Sequence, residues 1–414
     1  MLRNISHTIF TRALVILLTF AMVWMNTNQI GADGQGDVAL ISFGILLIVG
    51  LNNFFGGGAI VYLTPRKDPA KLILPCFLWS IISALFFYPI FSLLEIVPAP
   101  YIVHVVMLGF LQSLFTFHQQ VLLGRNKVPA FNTLVITQAI LTAASLAIGY
   151  FAVKEISTYS FIYALYIGFA GTLILALAMT RHEWKIKELS FDLDGLKGIV
   201  KYGFFSQTSN VFQILAYRLA YVFLEKASMH AGVGIFSVGM QINEAAVTPV
   251  KSIATVQHAH ISNSKKTSDN QTITISLMKI GLLITLLVAL AVFVLPESFY
   301  LWVFSEEMEG VKSVLNWLCL GMGGLAISSI CAHHFSGTGK HWHNTIGSLI
   351  TLVLIISLGT IYIPKDGIVA TAWVSSAAYL AQAAYLLIAF MAVEKVSLGR
   401  MLKEKVDWTL MRNN

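Results

Sequence analysis

Charge is what this sequence has least of. Asp, Glu, Lys and Arg make up 11% of the 414 residues, against roughly 25% in soluble domains, while 57% are apolar and mean hydropathy is +0.75. A soluble globular protein is excluded. Cysteine is scarce too: Cys76, Cys319 and Cys331 all fall inside apolar runs, which excludes an extracytoplasmic disulfide framework and reads as packing. Signatures of chemistry are missing, with no Gly-rich phosphate loop, no nucleophile elbow and no H-E-x-x-H pattern. ATP-driven transport by this chain alone is thereby excluded, and an enzyme is the minority reading. The formal net charge of +7 is spread over short basic clusters between apolar runs, a pattern of membrane topology and not of a nucleic-acid surface.

What is present is hydrocarbon-compatible length. At about 20 residues per crossing, a window along the chain predicts twelve spans, near 9–28, 38–63, 71–94, 98–123, 130–152, 158–180, 202–224, 231–258, 273–295, 309–334, 343–363 and 367–391. The first follows Arg3 and Arg12 like a signal peptide, but no small-x-small cleavage site follows, so it reads as a retained helix. The odd-numbered connections hold four basic residues, Lys154, Lys226, Lys312 and Lys365, whereas the termini and even-numbered connections hold 21. By the positive-inside rule both termini face the cytoplasm. The one extended break, RHEWKIKELSFDLDGLKGIVK at 181–201, divides the chain into an N-lobe (1–180), a linker (181–201), a C-lobe (202–391) and a basic tail (392–414). Six helices per half give both halves the same orientation, so the expected fold is all-α and polytopic, with a pseudo-two-fold axis along the membrane normal. A faint repeat agrees, with Gly34 and Gly36 before span 2 answering Gly232 and Gly234 before span 8.

Ionisable residues inside hydrocarbon cost at least about 2.5 kcal/mol each, and so mark function or pairing. Of 20 acidic residues only Glu244 lies near the middle of a span, and of the bases only Arg218 lies well inside one, with Lys279 near an inner end. On a helical wheel, Gly234, Ser237, Gln241, Glu244, Thr248, Lys251 and Thr255 fall within about 100° of arc, and Ser206, Gln207, Asn210, Gln213, Tyr217, Arg218 and Tyr221 within about 140°. Span 1 shows a thinner version in Thr8, Arg12, Thr19 and Asn26, and span 2 has Asn52 and Asn53 before Gly56, Gly57 and Gly58. Two readings stand. Either the polar groups bind helices together at about 0.6 kcal/mol per hydrogen bond, with Glu244 satisfied by Arg218, or spans 1, 2, 7 and 8 wall a wet cleft between the lobes. Stripes running through the full membrane thickness favour the cleft.

The glycine run at 56–58 and Pro249, one turn beyond Glu244, are expected to flex or kink their helices. His258, His260, His333, His334, His341 and His343 gather near the expected cytoplasmic rim. They lack the ligand set of a zinc site, so no metal and no cofactor are expected. The segment 395–412, KVSLGRMLKEKVDWTLMR, has the makings of a basic amphipathic helix on the inner leaflet.

The stretch GLKGIVKYGFFSQTSNVFQILAYRLAYVFLEKASMHAGVGIFSVGMQINEAAVTPVKSIA resembles the polysaccharide flippases of the multidrug/oligosaccharidyl-lipid/polysaccharide (MOP) superfamily. The shared features are a basic KYG approach, an Arg late in span 7, a G-x-G-I-F-S entry into span 8 and a Pro near its inner end. GADGQGDVALI and IPKDGIVATAW resemble the family's first outer turn and the entry to its last span. The overall pattern is most similar to the Wzx-type flippases of O-antigen and capsule pathways. One departure is Tyr217, where family members often carry Asp, which alters the charge balance and bears on cation coupling.

The resemblance implies an undecaprenyl-pyrophosphate-linked oligosaccharide as substrate, moved to the periplasmic leaflet of the bacterial inner membrane by alternating access. It also implies membrane lipids and the polysaccharide polymerase machinery as partners. Arg218 is then expected at the pyrophosphate or an acidic sugar, Gln207, Asn210, Gln213, Ser237 and Gln241 at sugar hydroxyls, Tyr217, Asn52 and Asn53 on the cavity wall, and Glu244 as a proton or sodium coupling group. The alternatives are a small-cation drug or metabolite exporter of the same superfamily and a membrane-embedded glycan-modifying enzyme. A major-facilitator carrier would need a G-x-x-x-D-R-x-G-R-type loop where this chain has LTPRKDPAK.

Overall fold

In a bilayer every backbone N–H and C=O must be paired within the protein, so a chain with this many apolar runs becomes helical. The computed structural model describes residues 2–66, 70–183, 193–263 and 267–406, with side chains described over 10–61, 63–66, 70–183, 207–262 and 268–406. Among these residues there is no strand. Twelve long helices follow one another: α1 (2–30), α2 (32–56, continued by Gly58–Leu63), α3 (Ala70–Leu94), α4 (Ile102–Gly124), α5 (Val128–Ala147, ending in a wide turn Ile148–Val153) and α6 (Thr158–Thr180). Then come α7 (Leu193–Lys226), α8 (His230–Asn263), α9 (Thr267–Val294), α10 (Val311–Gly337), α11 (342–366) and α12 (368–394). The described residues also form short helices at Glu297–Phe304 and Leu398–Lys403 and 3-10 turns at Ala99–Tyr101, Arg181–Glu183 and Glu306–Met308. The protein is an all-α, multi-pass membrane protein.

Eight helical stretches are long and apolar enough to cross a membrane, and two of these, Phe10–Val61 and Trp342–Glu394, each contain two of the helices above. That accounts for ten crossings. α7 and α8 are not among the eight, because their polar stripes lower the hydropathy of every window along them.

Several expected details differ. The G-x-G of GADGQG was expected to form the first outer turn, but Gly34 and Gly36 are helical within α2, and the reversal is made by one residue, Gly31, at φ 67°. A left-handed backbone needs no loop to turn a helix, and glycine adopts it without a Cβ penalty. Gly367, at φ 57°, joins α11 to α12 in the same way. The glycine run interrupts its helix as expected, at Gly57 between Gly56 and Gly58–Leu63, whereas α8 continues through Pro249 without a break. Of the tail, Leu398–Lys403 is helical, and 407–412 lie outside the described residues.

The chain divides into two compact units, Met1–Ile214 with Val303–Met308, and Leu215–Trp302 with Glu309–Asn414. In the first unit the extension of α2 packs Ala59, Ile60 and Leu63 on Leu72, Ile73 and Cys76 of α3 and Phe117 and Val121 of α4. Phe115 and Leu122 of α4 meet Leu134 of α5 and Ala176 of α6. In the second unit Ile355 of α11 packs with Val374 and Ala378 of α12 against Leu219 and Phe223 of α7. α10 and α12 approach until a Cβ on Gly324 would lie 3.0 Å from the Tyr379 carbonyl, and Ser376 Oγ donates to the Trp317 carbonyl at 2.7 Å. Small residues at the crossing permit this approach.

Candidate functional site

α7 and α8 are joined by a tight reversal in which Ser228 takes φ 59° and the Met229 N–H donates to the Leu224 carbonyl at 3.1 Å. Successive helices with so short a connection run antiparallel, which carries the polar face of α8 back along that of α7. Arg218 and Glu244 meet there. Arg218 Nη2 lies 2.8 Å from Glu244 Oε1 and 2.9 Å from Oε2, so one guanidinium nitrogen addresses both carboxylate oxygens. Nη1 donates to the Tyr221 hydroxyl, and the guanidinium carbon stands 5.4 Å from the Tyr221 ring centroid. Tyr221 is buried, its ring edge-to-face with Phe236 at 5.7 Å. The Arg218 and Glu244 side chains keep 17% and 29% of their surface, so the pair is enclosed but reachable.

The other predicted residues of the second unit surround this pair unevenly. Tyr217 packs edge-to-face on the buried Tyr379 of α12 at 5.1 Å. Gln241 is half-buried one turn before Glu244. Ser237 is buried and donates to its own helix at the Gly234 carbonyl, 2.8 Å away. Two residues absent from the sequence reading belong to this neighbourhood. Tyr379 lies on the apolar α12. Asn243, fully buried beside Glu244, has neither amide atom hydrogen-bonded among the described residues. No periodic signal marked either, since each is isolated among apolar neighbours.

Asn52, Asn53, Gln207, Asn210 and Gln213 belong to the first unit. Gln207 accepts from Asn210 Nδ2 at 3.2 Å, and its Nε2 would lie 3.0 Å from a Cβ on Gly57, which places it beside the helix break near Asn53. Asn52 turns elsewhere: it is buried and accepts from Ser80 Oγ of α3 at 2.8 Å. The first unit also holds a cavity of about 800 Å³ at the junction of α1 and α2. Asp33, Asp37, Tyr101, Tyr159, Glu306 and Glu307 are among its walls. Asp37 accepts from Tyr101 at 3.0 Å and Thr158 at 2.9 Å, and Glu307 accepts from the Ala32 N–H at 2.9 Å.

Among the described residues, no three of His, Cys, Asp and Glu converge as a metal site would require. Of the histidines of the expected rim, His258 and His333 meet edge-to-face at 6.2 Å. His334 Nδ1 meets Thr274 Oγ1 at 2.9 Å and its Nε2 faces Glu394 at 3.3 Å, while His343 is stacked on Phe335 and Trp342.

Searched against protein-family models and against curated proteins, the sequence matches none. Solved structures do match. An inward-facing multidrug resistance MATE family transporter of the MOP superfamily superposes with TM-score 0.73 at 16% identity, over 94% of this chain and 95% of that one. The lipid II flippase MurJ, in an inward closed conformation, gives TM-score 0.72 at 17% identity, over 100% of this chain and 96% of that one. A Pyrococcus furiosus MOP superfamily transporter, described as having a binding pocket of reverse polarity, gives 0.63 at 17% identity over 95% and 97%. The chain therefore has the fold of the MOP-superfamily transporters, and these neighbours are transporters and a flippase.

Proposed function

We propose that this protein is a flippase that carries undecaprenyl-pyrophosphate-linked oligosaccharide units across the bacterial inner membrane for O-antigen or capsule assembly, by alternating access. The observation that carries the reading is Arg218, a permanent cation at an intramembrane position, held in place by Tyr221 and partly open. A drug-exporting site for cations would place acids there, whereas the single acid here is already matched by Arg218. A guanidinium suits a pyrophosphate or acidic sugar through charge-assisted hydrogen bonds. The likeness to a lipid II flippase over the full chain supports a lipid-linked substrate, and the likeness to a multidrug transporter keeps a small-molecule exporter as the second reading.

In this reading Gln207, Asn210, Gln213 and Gln241 serve sugar hydroxyls, with Tyr217 and Asn53 on the wall and Glu244 coupling transport to protons or sodium, while the buried Asn52 and Ser237 hold helices. Both termini lie in the cytoplasm in this reading, which the distribution of 21 basic residues against four supports. Substrate passes to a separate polymerase on the outer side.

The test is deletion of the gene. Loss of surface glycan with lipid-linked units retained on the cytoplasmic leaflet is expected, restored by the wild-type chain but not by Arg218→Ala inserted at equal level. Intact surface glycan would favour the exporter reading, and accumulation on the outer leaflet would favour a polymerase.

A further inference from the structure

Arg218 already has an anion. In the present arrangement its charge is matched by Glu244 at 2.8 and 2.9 Å, so the two together are neutral. An anionic headgroup arriving at this position either adds uncompensated negative charge inside the bilayer or replaces the carboxylate. The first course is the costly one, since an unpaired charge in a low-dielectric interior is strongly disfavoured.

We propose that Arg218 and Glu244 are an exchangeable counter-ion pair: the headgroup of the lipid-linked substrate takes the place of Glu244 on the guanidinium, and the displaced carboxylate takes up one proton. The inference rests on the reading of Arg218 as an anion site. It balances as follows: paired carboxylate and guanidinium, plus a pyrophosphate diester of charge −2, plus one proton from the solution, give a neutral carboxyl and a guanidinium–diester pair of net charge −1, one unit less negative than without the proton. No bond other than the new carboxyl O–H is made.

Three features support exchange over a fixed structural pair. The first is division of labour on the guanidinium, where Glu244 holds Nη2 and Tyr221 holds Nη1. Tyr221 is buried and packed on Phe236, so Arg218 stays positioned after Glu244 leaves. The second is access, because both members of the pair keep some exposed surface while Tyr221 keeps almost none. The third is the surroundings of the carboxylate. Among the described residues, the titratable or charged groups that interact with it are Arg218 and Tyr221 of α7 and Tyr379 of α12. Once Arg218 is taken by substrate the rest are phenols, none of which offers a positive charge, and a proton is the remaining way to neutralise it.

Linkage then requires substrate affinity to fall as pH rises, by up to about tenfold per unit for one proton taken up. The experiment uses the full-length purified chain in nanodiscs and farnesyl-pyrophosphoryl-N-acetylglucosamine as probe, whose pyrophosphate diester stays ionised through the neutral range. Calorimetry in two buffers of different protonation enthalpy counts protons. Near one proton taken up per probe is expected for the wild type, none for Glu244→Gln, and recovery in Glu244→Asp. Glu244→Gln, having no charge to compete for Arg218, binds about tenfold tighter and without pH dependence. Melting temperature and elution profile verify folding, and if Glu244→Gln does not fold, the wild-type and Glu244→Asp proton counts decide alone. Binding that depends on Arg218 but moves no proton overturns the exchange and leaves the anion reading standing. Proton uptake that persists in Glu244→Gln also overturns it. Binding unchanged in Arg218→Gln, or no binding to the wild type, overturns both.

Discussion

The ammonium of Lys312 donates to three backbone carbonyls at the end of α9, those of Val292 at 2.7 Å, Phe293 at 2.6 Å and Leu295 at 2.6 Å. These carbonyls have no partner within the helix, and a positive charge also complements the helix end. Lys312→Met, which keeps the stem and removes the donors, is expected to cost about 2 kcal/mol at roughly 0.6 per bond in a membrane protein. The readout is a lower melting temperature in detergent. Asn52 gives the contrasting case. Its bond to Ser80 joins α2 to α3, so Asn52→Leu is expected to lower stability by about 1 kcal/mol and to leave surface glycan unchanged at matched expression. Arg218→Ala is expected to do the reverse, inserting normally while export is lost. Such differences were only half legible in the sequence. The wheel put Asn52, Arg218 and Ser237 on polar faces alike, but a face says nothing of which polar groups are already satisfied by a neighbouring helix or by their own.

At the scale of the element, Gly31 bears two constraints at once. Its φ of 67° is costly for any L residue, and a Cβ there would stand 1.9 Å from Glu307 Oε2. Gly31→Ala is expected to destabilise by more than about 2 kcal/mol, combining roughly 1–2 for the left-handed backbone with the collision. The double variant Gly31→Ala/Glu307→Ala should recover the collision part alone, measured by thermal unfolding of the four chains of the cycle. The sequence placed this turn a few residues late because two glycines spaced G-x-G read as a loop, whereas one glycine suffices. Pro249 does not end its helix: α8 carries on through it, and Pro249 itself is exposed. Helix ends strayed for a plainer reason. α7 begins at Leu193 and α8 continues to Asn263, well past the apolar windows, and hydropathy cannot see helix that lies outside the hydrocarbon.

For the molecule as a whole, the number and order of the long helices were legible because the bilayer allows so few alternatives: apolar runs of sufficient length must be helical, and two glycines with positive φ are all that merge four of them into two long stretches. Arg218 and Glu244 were legible as lone charges in apolar surroundings, and the structure pairs them directly. Tyr379 and Asn243 were not, since a phenol or amide among apolar residues has no period to betray it. The charge asymmetry predicts that a cysteine placed at the exposed Gly399 is labelled by an impermeant maleimide only after the inner membrane is opened, and one at the exposed Glu155 before it. Labelling in the opposite order would invert the topology. The first unit is discontinuous along the chain. Val303–Met308 belong to it, with the Val303 carbonyl accepting from Asn28 and the Glu307 carboxylate from the Ala32 N–H, so a ribosome that has finished α6 has not yet made all of the parts of that unit. Its last piece emerges only after α9, and a gene split between α6 and α7 would leave the amino-terminal polypeptide waiting for a strap encoded on the other.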